Sequence, residues 1–541
     1  MTYSPLRVCG VLSLCKYLFD SLQIPRRVGE DRMTATSLDP NVRHTSEAGR
    51  ATNVADLARE MMTLHHDRLA LVIPGDGRIQ HVTFGELGKL VDRFGVGLET
   101  LNLPTGARVL LLAPPTPQIF AFVVSLLRAG HTLVTVDGRS DARRMQHALQ
   151  EAAADVVIGS TRAIRWWPFV KALRRARRFS ADATVFGTRR LDDLLGGFDS
   201  RPTRVPAVDN GASAVIAFSS GNTGLPKRVV RSHGVLLAQH QALLDTFPLP
   251  ESDVNLPGFP LAVLHNLCRG TTTVLPSADL RSMAAADVDI VLRTIREHGV
   301  TSISGAPAFV GRLATQLLDR GELMQEVQRI VVGGGPVSRR LAVAILAAFP
   351  LADARVVYGA TEAEPIATAP LNEIADADPL DEGFLAGWPV SDIEIRIDGI
   401  ENVGELLVRG PHVIPSGAPD GWHRTGDVCR LDDRGRLWLL GRAGAEVCRG
   451  DVVVHPFTVE ARAARIPGVA ASAFIAHSDA PEGELVVQLS AGASEYVVLS
   501  SARALLDDLT VRLIDEIPMD ARHQSKVDRS ELLRRIEGSQ A

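Results

Sequence analysis

The stretch FSSGNTGLPKRV, Phe218 to Val229, decides how this 541-residue chain is read. The short apolar run AVIAF, Ala214 to Phe218, leads into it and has the composition of a buried strand. Ser219, Ser220, Gly221, Asn222, Thr223, Gly224, Pro226 and Lys227 then follow within nine positions. A strand entering a loop rich in glycine and hydroxyls and closing on lysine suits a phosphate cradle. Glycines let backbone N–H groups approach the phosphates, hydroxyls add donors, and the ammonium neutralises charge. The spacing Gly221, Gly224, Lys227, Arg228 is not that of the common nucleotide P-loop. A polar surface loop accounts for the same residues, and the stretch alone does not choose between the two.

Outward from that loop, length and composition set bounds. A chain this long exceeds one ordinary core, so two or more domains are expected. With 45% hydrophobic and 22% charged residues it reads as a soluble globular protein, and a net charge of -5 gives no reason to expect nucleic acid. The five cysteines are scattered without metal-ligand spacing, which reads as reduced thiols in a cytoplasmic protein. Val8 to Phe19 is apolar but broken by Ser13 and Lys16, too short and mixed for a membrane span. Arg26 to Ala51 is polar and low in apolar periodicity, so residues 1–50 read as a flexible leader, and Met33 offers an alternative start.

From Val54 the pattern becomes regular. Helices are expected at VADLAREMMTLH and Phe84 to Leu101, strands at LALVIPG, Arg108 to Pro115, TLVTVD and DVVIGS. Strands alternating with helices at this spacing imply parallel α/β sheets. The strand RIVVGGGPVS, Arg329 to Ser338, ends in Gly333, Gly334 and Gly335, and ARVVYGATEAEP, Ala354 to Pro365, ends in a turn. Gly-rich ends of parallel strands are where open α/β sheets bind ligands. Beyond Leu385 short strands with turns indicate a β-rich part, and a separate short α/β pattern starts at Arg442. Arg162 to Phe179 carries seven basic residues, two tryptophans and two phenylalanines without one acid. It reads as a solvated helix interrupted at Pro168, with peripheral membrane contact the less favoured reading.

Taken in order, these pieces resemble the adenylate-forming superfamily of acyl-CoA synthetases, luciferases and adenylation domains. SSGNTGLPK is similar to its phosphate loop, GGGPVS to its adenine-side loop, and YGATE (Tyr358 to Glu362) to its aromatic–Thr–Glu motif. WHRTGDV is similar to its ribose motif, GRLWLLGR to its hinge, and SKVDRSEL to its catalytic-lysine motif. The ordered set covers most of Val54 to Ile536. The resemblance implies a large N-terminal domain over 51–441, made of two α/β subdomains and a β-rich subdomain. A small mobile α+β domain carrying the catalytic lysine is implied over 442–541.

The resemblance also implies roles. ATP and Mg²⁺ are the expected cofactors, with Lys526 bridging the acyl carboxylate and the α-phosphate. Thr361 binds the α-phosphate and Glu362 ligates the metal. Residues 219 to 224 and Lys227 hold phosphate; Gly333 to Gly335, Tyr358, Gly359 and Ala360 lie around adenine, with Tyr358 stacking on it. Asp427 accepts from the ribose hydroxyls and Arg442 contacts ribose or the hinge. Each residue has a bland alternative: an exposed lysine, a helix-start Glu362, a core tyrosine, a turn aspartate, a surface arginine. The partners implied are a medium- or long-chain carboxylic acid and, as acceptor, CoA, an acyl carrier protein or a pathway enzyme.

The departures point to a narrower group. Asn222 and Arg228 replace the usual loop residues, Gly444 stands at the hinge, and His265 is displaced from the family's aromatic–His pair, so no catalytic role falls to it. DARHQSK, IGSTRAIRWW and the stretch from Pro260 to Pro276 resemble the β-lactone synthetases of bacterial olefin biosynthesis. In those enzymes a 3-hydroxyl displaces AMP intramolecularly and CoA is not used. A non-catalytic adenylate-binding homologue is the competing class, while an α/β-hydrolase lacks its Gly-x-Ser-x-Gly elbow.

Overall fold

The computed structural model describes residues 53–74, 79–136, 142–196, 206–219, 226–275, 283, 285–378, 383–416, 418–520 and 524–538. The leader and its alternative start lie outside these residues.

Two large sheets organise residues 53 to 442. The first has seven strands in the order Arg189–Arg190, Arg177–Ser180, Val156–Gly159, Arg108–Leu112, Thr132–Thr135, Ser213–Ser219, Lys227–Ser232. Its neighbours run parallel except for the last pair, which is antiparallel with Ser219 opposite Lys227. The second has thirteen strands. Its central run, Asp353–Ala360, Arg329–Gly333, Ser302–Gly305, Val254–Pro257, Thr272–Val274 and Leu69–Pro74, is parallel. The β-rich part joins this sheet edge to edge, because Phe384–Pro389 pairs with both Ala363–Pro370 and Leu437–Arg442. The α/β expectation therefore matches, with the antiparallel strands extending the second sheet.

Local sequence explains where the helices begin. Thr83 caps Phe84–Thr100 through a reciprocal pair with Glu86. Thr116 and Pro117 start Pro117–Arg128, while Ser232 and Ser338 cap His233–Thr246 and Arg339–Ala348. Phe94 and Phe122 on the first two of these helices meet edge to face at 5.6 Å, both fully buried. Truncating either to alanine removes about 3–5 kcal/mol. One core runs continuously from Val54 to Leu440, and a second core of Val459, Phe474, Leu485, Val487 and Val498 serves the C-terminal part. There the three strands Val469–His477, Ala480–Leu489 and Thr510–Ile514 carry helices Pro456–Ala463, Glu495–Arg503 and Arg529–Gly538.

One expectation is corrected. Arg162 to Phe179 is not a helix: it holds a single turn, Thr161–Ile164, a tight turn Lys171–Leu173 and the start of the strand Arg177–Ser180. Pro168 prevents a longer helix, and Arg178 lies over the Trp167 ring at 4.0 Å, so a cation–π contact stands in for helical packing. Among the described residues no helix is long and apolar enough to cross a membrane.

Candidate active site

The carboxyl ends of the parallel strands open into a cleft of about 2150 Å³. Lys227, Gly334, Gly335, Tyr358, Gly359, Ala360, Thr361, Glu362, Asp427, Arg442 and Lys526 all border it. Residues nearly three hundred positions apart thus share one space.

Ser219 and Lys227 face each other across the antiparallel pair at the edge of the first sheet. The connecting Ser220, Gly221, Asn222, Thr223 and Gly224 lie outside the described residues. Thr361 and Glu362 form the tip of a hairpin, since Ala360 pairs with Ala363. Glu362 is therefore a turn residue and not a helix-start carboxylate. Its backbone carbonyl accepts from Ile414 N–H at 2.8 Å, which fixes the turn from the β-rich side. The Thr361 carbonyl is gripped from the other side by Arg231, through Nε at 3.0 Å and Nη2 at 2.6 Å.

Gly333, Gly334 and Gly335 follow the strand Arg329–Gly333. A Cβ on Gly335 would stand 2.7 Å from the Ser525 Cβ, so only glycine lets the catalytic-lysine segment approach. Ser525 Oγ accepts from Ala308 N–H at 3.1 Å. Asp520 Oδ1 accepts from both Ser525 N–H and Lys526 N–H at 2.9 Å, leaving the Lys526 side chain exposed at the cleft.

On the opposite wall Tyr358, Asp427 and Arg442 form one cluster. The Tyr358 hydroxyl donates to Asp427 Oδ2 at 2.7 Å, and Arg442 Nη1 donates to Oδ1 at 2.7 Å. Burial, reinforced by the Asp427 charge, pushes the Tyr358 phenol well above its ordinary range and keeps it a donor. Each carboxylate oxygen retains a second acceptor position for a diol. His423 is buried, with its pKa lowered first by burial and partly restored by Glu362. Its Nδ1 has no hydrogen-bond partner among the described residues.

Sequence reading missed Arg231, His423 and His240, and, having set His265 aside, missed its pairing with His240. Lys227, Val229 and Arg231 share a strand face by period-two alternation, and an arginine on the buried side of such a face was the available signal for the first. The pair had none, because the two histidines sit on different helices.

A family model described as "AMP-binding enzyme" matches residues 59–416. An olefin β-lactone synthetase of Stenotrophomonas maltophilia (strain K279a) is 28% identical, spanning 89% of this chain and 98% of the relative. Among solved structures, amide bond synthetase McbA from Marinactinospora thermotolerans superposes with a TM-score of 0.75 at 22% identity, covering 89% of this chain and 99% of that one. O-succinylbenzoate Coenzyme A synthetase (MenE) from Bacillus subtilis, solved with ATP and magnesium, gives 0.71 at 21% identity, covering 88% and 98%. With more than half of its residues under the family model, a fold shared with these structures and the motif residues gathered in one cleft, the chain belongs to the AMP-binding enzyme family.

Proposed function

We propose that this chain activates a medium- or long-chain carboxylic acid, 3-hydroxy acids included, by ATP-dependent formation of an acyl-adenylate with release of pyrophosphate. Transfer to CoA or a carrier thiol then follows. The observation that carries the reading is the convergence of Lys526, the Thr361–Glu362 turn, the Asp427 cluster and Lys227 on one cleft.

A carboxylate oxygen attacks the α-phosphorus while the bond to the β-phosphate oxygen breaks. The charge building on the phosphoryl oxygens needs fixed donors and cations. Lys526, whose backbone N–H is held by Asp520 Oδ1, supplies an ammonium at the cleft. Lys227 neutralises the departing phosphates, Thr361 donates to the α-phosphate, and Asp427 orients the ribose with Tyr358 and Arg442. Ser219 to Gly224 complete the phosphate cradle, and Gly333 to Gly335, Gly359 and Ala360 let adenine lie close to backbone. Glu362 fits Mg²⁺: its carboxylate has no hydrogen bond or ion pair among the described residues, and Mg²⁺ is commonly held by one or two carboxylates plus substrate phosphates. When bound, the ion supplies charge neutralisation to the triphosphate. Residues 442–541 act as the mobile C-terminal domain. Gly444, at φ 83° with open space around it, supports a pivot there. The free thiols of Cys268 and Cys429 suit a reducing cytoplasm.

A second reading of the acceptor step is favoured by the coverage of the olefin β-lactone synthetase along 98% of its length. In it, the 3-hydroxyl oxygen attacks the acyl carbonyl carbon, AMP leaves and the hydroxyl proton passes to solvent. Incubation with Mg²⁺-ATP and saturated or 3-hydroxy acids, with and without CoA, tests both. Acid-dependent pyrophosphate release is expected; a thioester selects the first acceptor step and a CoA-independent lactone the second. Nucleotide binding without pyrophosphate release from any acid would leave the non-catalytic homologue.

A further inference from the structure

We propose that His240 and His265 form a tautomer-locked pair that recognises a hydroxyl group on the substrate's acyl chain. The inference rests on the acid-activation reading and names what the acyl wall of that cleft selects.

His240 lies on helix His233–Thr246 and His265 on helix Pro260–Arg269, and both border the cleft. Their Nδ1 atoms are 2.9 Å apart with ring centroids at 4.7 Å. Two imidazoles joined nitrogen to nitrogen need one and only one proton between them. The ring that donates Nδ1–H therefore keeps a lone pair on Nε2, while the ring that accepts carries Nε2–H. The pair thus offers one acceptor and one donor. Neither Nε2 has a protein partner among the described residues, and neither is sealed from solvent.

The surroundings of the two free nitrogens are largely apolar. Leu236, Leu243, Phe247, Leu261 and Leu264 line the same wall, where an aliphatic chain alone needs no polar group. Burial and the nearby Arg269 guanidinium lower both histidines, His240 to about 4, so the pair stays uncharged at neutral pH. An uncharged donor–acceptor pair does not suit a carboxylate, which asks for two donors or a cation. A methylene offers it nothing, whereas a hydroxyl, which both donates and accepts, pairs with the Nε2 of either ring whichever tautomer holds. The site also lies within reach of the reaction: Gln239, beside His240, donates to Glu364 at 3.4 Å, two residues beyond the Thr361–Glu362 turn.

The test measures direct binding of saturated acids and their 2-hydroxy, 3-hydroxy and ω-hydroxy counterparts to the full chain without ATP, alongside pyrophosphate release with ATP. The variants are His265→Phe, His240→Phe and the double change. The double variant matters because removing both partners leaves no orphaned nitrogen and preserves folding best. The wild type is expected to bind at least one hydroxy acid about tenfold more tightly than its unsubstituted parent, the scale of one neutral hydrogen bond. In the double variant that ratio is expected to fall to near one. Equal wild-type binding of every matched pair, no binding of any acid, or a hydroxyl preference that survives in the double variant overturns the proposal. A histidine-dependent hydroxyl preference without pyrophosphate release supports it and overturns acid activation instead.

Discussion

The two ends of the cleft are built differently. The nucleotide end is made of strand ends and hairpin turns, where backbone groups, single charges and glycines stand at fixed chain spacings: Gly335 against Ser525, Thr361 under Arg231, Asp427 between Tyr358 and Arg442. The acyl end is made of helix faces, where Leu236, His240, Leu261 and His265 meet only after the helices pack. On the proposed function, chemistry common to any ATP-dependent activation sits on the first, and selection of the acid sits on the second. Changes at the nucleotide end should therefore damage turnover of all acids alike, whereas changes at the acyl end should alter the ranking among them.

The largest effect is expected from Lys526→Ala, which should lower acid-dependent pyrophosphate release by about 10²–10³-fold for every acid, the usual cost of losing one positioned transition-state donor. Selective loss for one acid class would break the division. Arg231→Ala should cost about 10–100-fold in kcat, because the charge-assisted grip on the Thr361 carbonyl, worth about 1.5–3 kcal/mol, disappears. Arg231→Lys should recover only part of it, since an ammonium cannot reproduce the fork. Steady-state kinetics on both variants, with the acid ranking unchanged, would sharpen the contrast. Tyr358→Phe should raise the KM for ATP about fivefold, as Asp427 loses one neutral donor of about 1 kcal/mol.

The smallest effect is on stability against pH. His240 is depressed to about 4 from an ordinary 6.5, so between those values the unfolded chain binds more protons than the folded one. Its contribution is fully present above about pH 6.5 and is lost as the pH falls toward 4. His131 and His233, lowered mainly by burial, act in the same direction. Thermal melts should show Tm falling across that window, with a shallower slope in the His240→Phe/His265→Phe protein. An unchanged slope would mean the pair does not titrate differently on folding.

The same division explains what was legible in the chain. Strands such as Arg329–Gly333 and caps such as Thr83–Glu86 depend on near neighbours, so periodicity and spacing expose them. The YGATE turn and the Gly-rich strand ends were visible for the same reason. Arg231 was hidden because its importance lies in a carbonyl 130 positions away, and the histidine pair because a contact across 25 positions leaves no spacing rule. Arg162 to Phe179 was misread because its charge pattern suits a solvated helix, while Pro168 and the Arg178–Trp167 contact enforce turns. Local patterns give elements; which helix faces meet is a tertiary matter.

The most direct test of acid activation is to look for its intermediate. The full chain is mixed with Mg²⁺-ATP and a saturated long-chain acid, which has no hydroxyl for ring closure, without CoA, and quenched for mass spectrometry. The account predicts an acyl-AMP mixed anhydride that accumulates with stoichiometric pyrophosphate and is absent from the Lys526→Ala protein. Binding of the acid together with ATP, but without acyl-AMP or pyrophosphate from the wild type, would contradict it.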